Sequence, residues 1–272
     1  MNAGSTERVP LTVVLPVLNE EKNLPAALLS VRWANEIVVV DSHSTDRTAA
    51  IAEAHGAVVV QFAYDGTGPK KKGWALQNLA FKNEWVLILD ADERVTEELR
   101  REIEHAITTR TIDGYCLDRE FVFLGRSLRC FRPNWILRLF RHRLGKMEDL
   151  GLTNLPGTGD NEIHEQVQVD GALGFLKNPL LHDDYRGISP WIDRHNRYAT
   201  WEAHLYLSFQ DEPIGISPMQ FLHLDPFRRK RILRRVWVRL SFRPFLRFVV
   251  WYFFRLGILD GRQGYVFCLL MA

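Results

Sequence analysis

The sequence has few cysteines and no long apolar run. Its 272 residues include only three cysteines, Cys116, Cys130 and Cys268, and no two of them form a C-x-x-C pair. This spacing argues against a disulfide framework or a zinc knuckle and is typical of a reducing compartment. The first ten residues contain no apolar segment of the kind found in secretory signals. We therefore expect a cytoplasmic location.

Internal repeats and low-complexity linkers are also missing. With 46% hydrophobic and 25% charged residues, the composition is that of an ordinary globular protein. A chain of 272 residues is long enough for a full hydrophobic core. The simplest expectation is one domain with an appendage. The sequence makes no prediction of the oligomeric state.

Acidic residues become scarce near the C-terminus. From Asp225 onward, eleven arginines and lysines are opposed only by Asp225 and Asp260. The longest uncharged apolar run there, Phe248–Phe254, is far shorter than the ~20 residues of a membrane-spanning helix. We predict that residues 225–272 form a basic amphipathic helical segment lying on an anionic membrane surface. The alternatives are a helical pair packed on the domain of residues 1–224, or nucleic-acid binding, which the large apolar content disfavours.

The first half of the chain alternates between apolar β-rich runs and helical patterns. The predicted strands are Leu11–Leu15, Glu36–Val40, Ala57–Gln61 and Trp85–Leu89. The predicted helices are Asn23–Trp33, a segment capped by Ser44 or Thr45 that runs to His55, Trp74–Phe81, and a segment capped by Thr96. Apolar strands separated by helices indicate an α/β protein whose mainly parallel sheet is covered on both faces.

The second half is less regular. A hairpin is expected over Tyr115–Arg129, and a strand over Trp135–Arg141. Leu150–Asn161 is a turn-rich loop. The dipeptide Ser189-Pro190 predicts a helix start, with Ser189 as the cap, and this helix runs to about Phe209.

Polar clusters follow three of the predicted parallel strands: Pro16–Glu20, Asp41–Asp46 and Asp90–Glu93. In open α/β sheets, ligands bind beyond the carboxyl ends of the strands. All three clusters are therefore expected at one rim of the sheet. There, Asp90 and Asp92 are suited to a hard divalent cation, which prefers oxygen ligands. The alternative is a solvated turn in which Asp92 or Glu93 caps the next helix.

Several stretches resemble family 2 glycosyltransferases of the GT-A fold, and most closely the branch containing the lipopolysaccharide inner-core β-glucosyltransferases. In chain order, they are LPVLNEEKNL, VVVDSHSTDRT, GPKKKGWAL, VLILDADERV, ILRLFR, IHEQV and DRHNRYATWEA. The resemblance implies inverting transfer of one sugar from a UDP-sugar, with glucose as the first expectation. The acceptor would be a lipid-linked saccharide, such as lipopolysaccharide core or another cell-envelope glycan, at the inner face of the cell membrane.

The resemblance also implies roles for individual residues. Mg²⁺ or Mn²⁺ would be bound by Asp92, with Asp90 and His182 as further candidate ligands. Glu165 would be the catalytic base that takes the acceptor proton. The nucleotide-sugar site would comprise Pro16, Asn19, Glu20, Asp41, Lys71, Lys72, Asp90 and Arg197.

Other interpretations stay open. Ser44 and Asp46 are as well suited to capping a helix as to lining the base site. The acceptor could be polyprenyl phosphate, or the chain could be a non-catalytic module that binds nucleotide or anionic lipid. The sequence lacks a Q-x-x-R-W motif, which disfavours polymer synthesis. The stretch Leu155–Asn161 is longer than in the glucosyltransferase branch, and this difference bears on the acceptor.

Overall fold

The structure is a computed structural model that describes residues 8–66, 68–148, 166–210, 232–233, 236–237 and 240–272. The side chains of residues 201, 202 and 204–210 are not described. The predicted loop Leu150–Asn161 and the predicted base Glu165 lie outside the described residues, as does most of the first third of the basic segment.

Strands and helices alternate through the first half of the chain, as the sequence predicts. The strands are β1 (Val9–Val17), β2 (Ala34–Asp41), β3 (Val58–Gln61), β4 (Trp85–Ile88), β5 (Glu93–Val95), β6 (Gly114–Phe123), β7 (Arg126–Ser127), β8 (Trp135–Arg141), β9 (Gly145–Met147), β10 (Val167–Val169), β11 (Leu173–Phe175) and β12 (Leu180–Asp183). The helices are α1 (Leu24–Ser30), α2 (Thr48–Ala54), α3 (Lys71–Asn78), α4 (Glu97–Ala106), α5 (Ile188–Gln210), α6 (Arg243–Val249) and α7 (Gly261–Leu270).

The central sheet has the strand order β3-β2-β1-β4-β8-β6-β12-β5. Strand β1 pairs in parallel with β2 and β4, and β2 pairs in parallel with β3. Strand β8 interrupts the parallel pattern, because it runs antiparallel to both β4 and β6, and the edge strand β5 runs antiparallel to β12. The carboxyl ends of β1, β2 and β4 consequently open at one rim, where the predicted polar clusters lie.

Each face of the sheet carries its own hydrophobic layer. On one face, Leu28 of α1 and Leu99 of α4 pack with the strand residues Leu15 and Leu87. On the other face, Leu76 of α3 packs with Val14, Val40, Ile88, Phe140 and Val167. Because both faces are covered, the strands are apolar along their whole length, as is typical of parallel sheets.

Three predicted helix starts are wrong, and one is confirmed. Helix α3 begins at Lys71, three residues before the predicted start at Trp74. Helix α2 begins at Thr48, beyond Ser44 and Thr45, and the carboxylate of Asp46 accepts from the Thr48 amide at 2.9 Å. Helix α5 begins at Ile188, so Ser189 lies within the first turn and does not cap it. The Thr96 hydroxyl accepts from the Leu99 amide at 3.2 Å and caps α4.

The described end of the chain folds back on the hairpin formed by β6 and β7. Phe267 and Cys268 of α7 are buried with Phe121, Phe123, Leu128, Cys130 and Trp191 in what we call the aromatic cluster. Asp260, just before α7, accepts from the backbone amide of Cys130 at 3.0 Å. The last residues thus share a core with the hairpin of β6 and β7, whereas a domain boundary after residue 224 stays a prediction. No helix in the described part of the chain is long and apolar enough to cross a membrane.

Candidate active site

The turn after β4 holds two carboxylates at the rim of the sheet. The backbone amide of Glu93 donates to the Asp90 carbonyl at 2.9 Å, and the Asp90 amide donates to the Glu93 carboxylate at 3.0 Å. Glu93 is fully buried, so its carboxylate stabilises the turn through this hydrogen bond and does not cap α4. The turn is therefore a tightly bonded support for Asp90 and Asp92, not a loose solvated loop.

Two cations face Asp90. Lys72 Nζ lies 2.9 Å from Oδ1 of Asp90, and the guanidinium of Arg138 contacts Oδ2. Burial alone would raise the pKa of Asp90, but Arg138 and Lys72 outweigh burial and hold that pKa well below its ordinary value. Asp90 is consequently an anion at neutral pH.

Asp92 faces a histidine and an arginine. His182 Nε2 lies 3.3 Å from Oδ2 of Asp92, and Arg194 Nη1 lies 3.8 Å from the same oxygen. Burial would raise the pKa of Asp92, but the interactions with His182 and Arg194 outweigh it, and the pKa is lowered. Strand β12 carries His182 and pairs with β5, which follows the Asp90–Asp92 turn directly.

The chemistry of this donor set fits a divalent cation shared with substrate oxygens. Among the described residues, no three His, Cys, Asp or Glu side chains converge as a complete protein cage would require. Mg²⁺ sites commonly use one or two carboxylates and complete the shell with water and phosphate oxygens. The buried Nδ1 of His182 has no hydrogen-bond partner within the described structure, and Nε2 is directed at Asp92. Asp92 and His182 therefore offer an anionic oxygen and a ring nitrogen side by side.

A second charge network ties the loop after β1 to the segment after β12. Arg186 donates to Glu20 at 2.8 Å and to both carboxylate oxygens of Asp184 at 2.9 Å. Arg194 also donates to Asp184 at 2.9 Å, so this network reaches Asp92. Burial raises the pKa of Glu20 to about 7, although Arg186 opposes the rise.

The predicted base-binding residues form a preformed set of hydrogen bonds. The Asp41 carboxylate accepts from the Ser44 amide at 3.1 Å and from Gln61 Nε2 at 3.0 Å. Asn19, with a left-handed φ of 55°, donates its amide to Ser44 Oγ at 2.9 Å. Pro16 lies within β1, opposite Val40. The role of Asp41 in the nucleotide-sugar site stays a prediction, and its carboxylate is already bonded within the protein.

The two lysines proposed for the diphosphate lie in different surroundings. Lys71 is buried, and its Nζ donates to the Val17 carbonyl at 2.7 Å. Lys72 is directed at Asp90. Of the other predicted residues, Arg197 is exposed on α5, one turn beyond Arg194. Glu165 lies outside the described residues, so its role as the base stays a prediction.

Sequence reasoning missed four charged residues of this site: Arg138, Asp184, Arg186 and Arg194. A signal existed for each of them. Asp184 and Arg186 directly follow β12, whose end lies beside the Asp90–Asp92 turn, and Arg194 stands in the quoted stretch DRHNRYATWEA. Arg138 stands in the quoted stretch ILRLFR, but a charge inside an otherwise apolar run is ordinarily read as a strand residue facing solvent.

Comparisons with known proteins agree with this geometry. The model of Glycosyl transferase family 2 matches residues 12–159. An uncharacterized glycosyltransferase of Rickettsia bellii is 40% identical over 205 residues, or 73% of this chain and 68% of that protein. The lipopolysaccharide core biosynthesis glycosyltransferase LpsC of Rhizobium meliloti is 28% identical over 231 residues, or 80% of this chain and 81% of that protein.

Solved structures are similar at lower identity. TarS of S. aureus, residues 1–349, is 17% identical, covers 95% of this chain and 80% of its own, and has a TM-score of 0.47. Glucosyl-3-phosphoglycerate synthase from Mycobacterium tuberculosis, in complex with Mn²⁺, UDP and glucosyl-3-phosphoglycerate, is 24% identical. The latter match covers 42% of this chain and 44% of that chain, with a TM-score of 0.33.

The fold is that of a glycosyltransferase of the GT-A type: an α/β domain with a mainly parallel sheet and a helical region toward the C-terminus. This chain belongs to glycosyl transferase family 2. The family and fold that the sequence motifs predicted are thereby confirmed.

Proposed function

We propose that the protein is a metal-dependent inverting glycosyltransferase that moves one sugar from a UDP-sugar, glucose first among candidates, to a lipid-linked saccharide. The observation that carries this proposal is the pair of ionised carboxylates, Asp90 and Asp92, held at the carboxyl end of β4 with cations around them. The relative LpsC, a lipopolysaccharide core biosynthesis glycosyltransferase, supports lipopolysaccharide core as the acceptor class. The resemblance of the quoted stretches to family 2 glycosyltransferases supports the UDP-sugar donor and the divalent cation.

In this proposal, Asp92 and His182 hold Mg²⁺ or Mn²⁺, with Asp90 beside them. When bound, the cation offsets the negative charge that grows on the departing UDP. Lys72 and Arg194 stand next to these carboxylates and supply positive charge for the diphosphate. Because the charges are fixed before the substrate arrives, they stabilise the transition state without reorganisation.

The acceptor side requires a base. Glu165 removes the proton from the acceptor hydroxyl while that oxygen attacks the anomeric carbon. The new carbon–oxygen bond forms as the bond from that carbon to the diphosphate oxygen breaks, and the bonding electrons leave with UDP. The proton ends on Glu165. A lipid-linked acceptor assigns the protein to the cytoplasmic face of the membrane, bound at its anionic surface.

Calorimetric titration of UDP tests the donor site. Wild-type protein should bind UDP with Mn²⁺ and lose most of that affinity in EDTA. The Asp92→Asn variant should lose the metal-dependent part, by roughly 10–100-fold or more, because a charged ligand is gone. Asp193→Asn, which alters an exposed carboxylate of α5 one residue before Arg194, serves as the matched control and should bind normally.

Three results would change the proposal. If UDP binds equally well in Mn²⁺ and in EDTA, the donor site does not use a metal. If turnover of UDP-sugars survives Glu165→Gln nearly intact, the acceptor is already an oxyanion, as polyprenyl phosphate is, and needs no base. If UDP binds but no combination of donor and acceptor is turned over, the protein is a nucleotide-binding module and not an enzyme.

A further inference from the structure

A stripe of large apolar side chains faces water along α6 and the π-helical turn after it. Its members recur at helical spacing: Phe242, Phe245, Leu246, Val250, Phe253 and Phe254, which we call the outer stripe. Phe242, Phe245 and Phe254 are 80%, 66% and 78% exposed. Scattered apolar residues on a surface are normal, but a continuous stripe of this kind indicates an interaction site.

The opposite side of the same segment is packed on the protein. Phe248, Trp251 and Tyr252 alternate with the outer stripe at helical spacing and pack against the aromatic cluster. Trp251 stacks on Phe267, with the ring centroids 5.7 Å apart. The outer stripe is therefore not the side by which this segment packs on the protein, because Phe248, Trp251 and Tyr252 form that side.

The sequence on either side of the outer stripe carries charge of one sign. Residues 226–259 contain no Asp or Glu, and Asp260 is 1% exposed and bonded to Cys130. Arg243 and Arg247 lie within α6 itself, and seven more basic residues precede it between positions 228 and 239. A basic, aromatic, amphipathic segment is suited to an anionic lipid surface. A second copy of the chain would bring like charges together.

The outer stripe is also held close to the candidate active site. Phe267 of α7 packs on Phe121 with the centroids 5.6 Å apart, and Phe121 packs edge-on against His182 at 5.0 Å. His182 in turn lies 3.3 Å from Asp92. Two aromatic layers thus separate the packed side of the C-terminal segment from the predicted metal ligands.

We propose that the outer stripe is the surface on which the protein docks to an anionic leaflet. Its phenylalanines enter the boundary between headgroups and acyl chains, while the neighbouring arginines meet lipid phosphates. The rigid packing behind the stripe then holds the rim of the sheet beside the bilayer. The inference rests on the proposed function only in its use of a lipid-linked acceptor, because docking itself requires neither donor nor turnover.

Vesicle flotation with the full chain tests this surface. Wild-type protein should float with vesicles containing phosphatidylglycerol and bind pure phosphatidylcholine much more weakly, and added salt should release it. Phe254→Ser should weaken binding about tenfold, since one inserted phenylalanine side chain contributes roughly that factor. Phe175→Ser changes an exposed phenylalanine on β11, 60% accessible and outside the stripe, and should leave binding unchanged.

The outcomes separate this inference from the donor proposal. Each variant is first checked for metal-dependent UDP binding, which a docking defect alone leaves intact. Equal flotation of wild type and Phe254→Ser, or equal binding to both vesicle types, would overturn the docking surface. So would a wild-type dimer in sedimentation that Phe254→Ser dissociates, since the stripe would then be covered by a second copy. Vesicle binding without UDP binding would instead contradict the proposed function while supporting the docking surface.

Discussion

Arg138 donates to Glu93 across 3.0 Å, and water reaches only 4% and 0% of the two side chains. The same guanidinium contacts Asp90, so one buried cation joins the locked turn to the candidate site. Arg138 reaches this position because β8 lies between β4 and β6. A buried ion cluster is stable only while its members compensate one another.

Arg138→Met should therefore lower the free energy of unfolding by about 3–5 kcal/mol, because it leaves the buried carboxylate of Glu93 without its main partner. Urea denaturation measures this change. Arg101→Met is the matched control, since Arg101 pairs with Glu97 on the exposed side of α4 and should cost less than about 1 kcal/mol. Similar losses in both variants would contradict the prediction.

Substituting the two neighbouring lysines should affect different properties of the protein: UDP binding for Lys72 and stability for Lys71. Lys72→Met should weaken metal-dependent UDP binding by about tenfold or more, because a charge-assisted contact contributes about 1.5–3 kcal/mol. Lys71→Met should instead destabilise the fold by about 1–3 kcal/mol, because the Val17 carbonyl loses its buried donor. Calorimetry and urea denaturation on both variants measure the two effects, and a reversed pattern would exchange the roles of the lysines.

Stability should fall as pH rises from about 4.5 to about 7 through the titration of Glu20. In the unfolded chain this carboxyl has its ordinary pKa of 4.5, whereas burial raises the folded pKa to about 7. Between these values the folded state binds the extra proton, so the contribution of Glu20 decreases by about 3 kcal/mol across the window. Asp92 and Asp184 have lowered pKa values and change their contribution only at more acidic pH.

Urea denaturation at pH 5 and pH 7 measures this slope. Glu20→Gln should remove the difference attributable to Glu20, because glutamine does not titrate. Glu21→Gln, at the partly exposed neighbour that pairs with Arg47, should keep it. A pH dependence that is identical in wild type and Glu20→Gln would show that the Arg186 ion pair keeps Glu20 ionised throughout.

Phe267→Ala should open a cavity in the aromatic cluster and cost about 3–5 kcal/mol of stability. It should also weaken metal-dependent UDP binding, because Phe121 loses the ring that supports it behind His182. Thermal unfolding and calorimetry provide the two measurements. Phe254→Ala, on the exposed outer stripe, should change stability by no more than about 0.5 kcal/mol.

The sequence was sufficient to predict the parallel half of the sheet and its rim. Runs such as Trp85–Leu89 are apolar throughout because helices cover both faces of the sheet, and their polar ends identify the rim. The direction of β8 was not predictable, since an apolar run reads the same in either orientation. The burial of Arg138 depends on that direction, and it escaped prediction for the same reason.

Competing hydrogen bonds explain why α2 does not begin at Ser44. Ser44 was a reasonable cap by residue type, but its hydroxyl donates to Asp41 and accepts from the Asn19 amide. Asp41 is close to Ser44 in the chain, but Asn19 follows a different strand, so only the assembled rim brings Asn19 to Ser44. Sequence distance was also a poor guide to the cysteines, because Cys130 and Cys268 are buried together in the aromatic cluster.

The aromatic cluster has a consequence for how the protein is made. Its hairpin residues Phe121, Phe123 and Leu128 leave the ribosome long before Phe267, and the contact between Cys130 and Asp260 spans 130 positions. Contacts of such separation form late, because the intervening loop must close first. A nascent chain that has completed its sheet but not yet released α7 would therefore display an uncovered patch of phenylalanine, the kind of surface that chaperones bind.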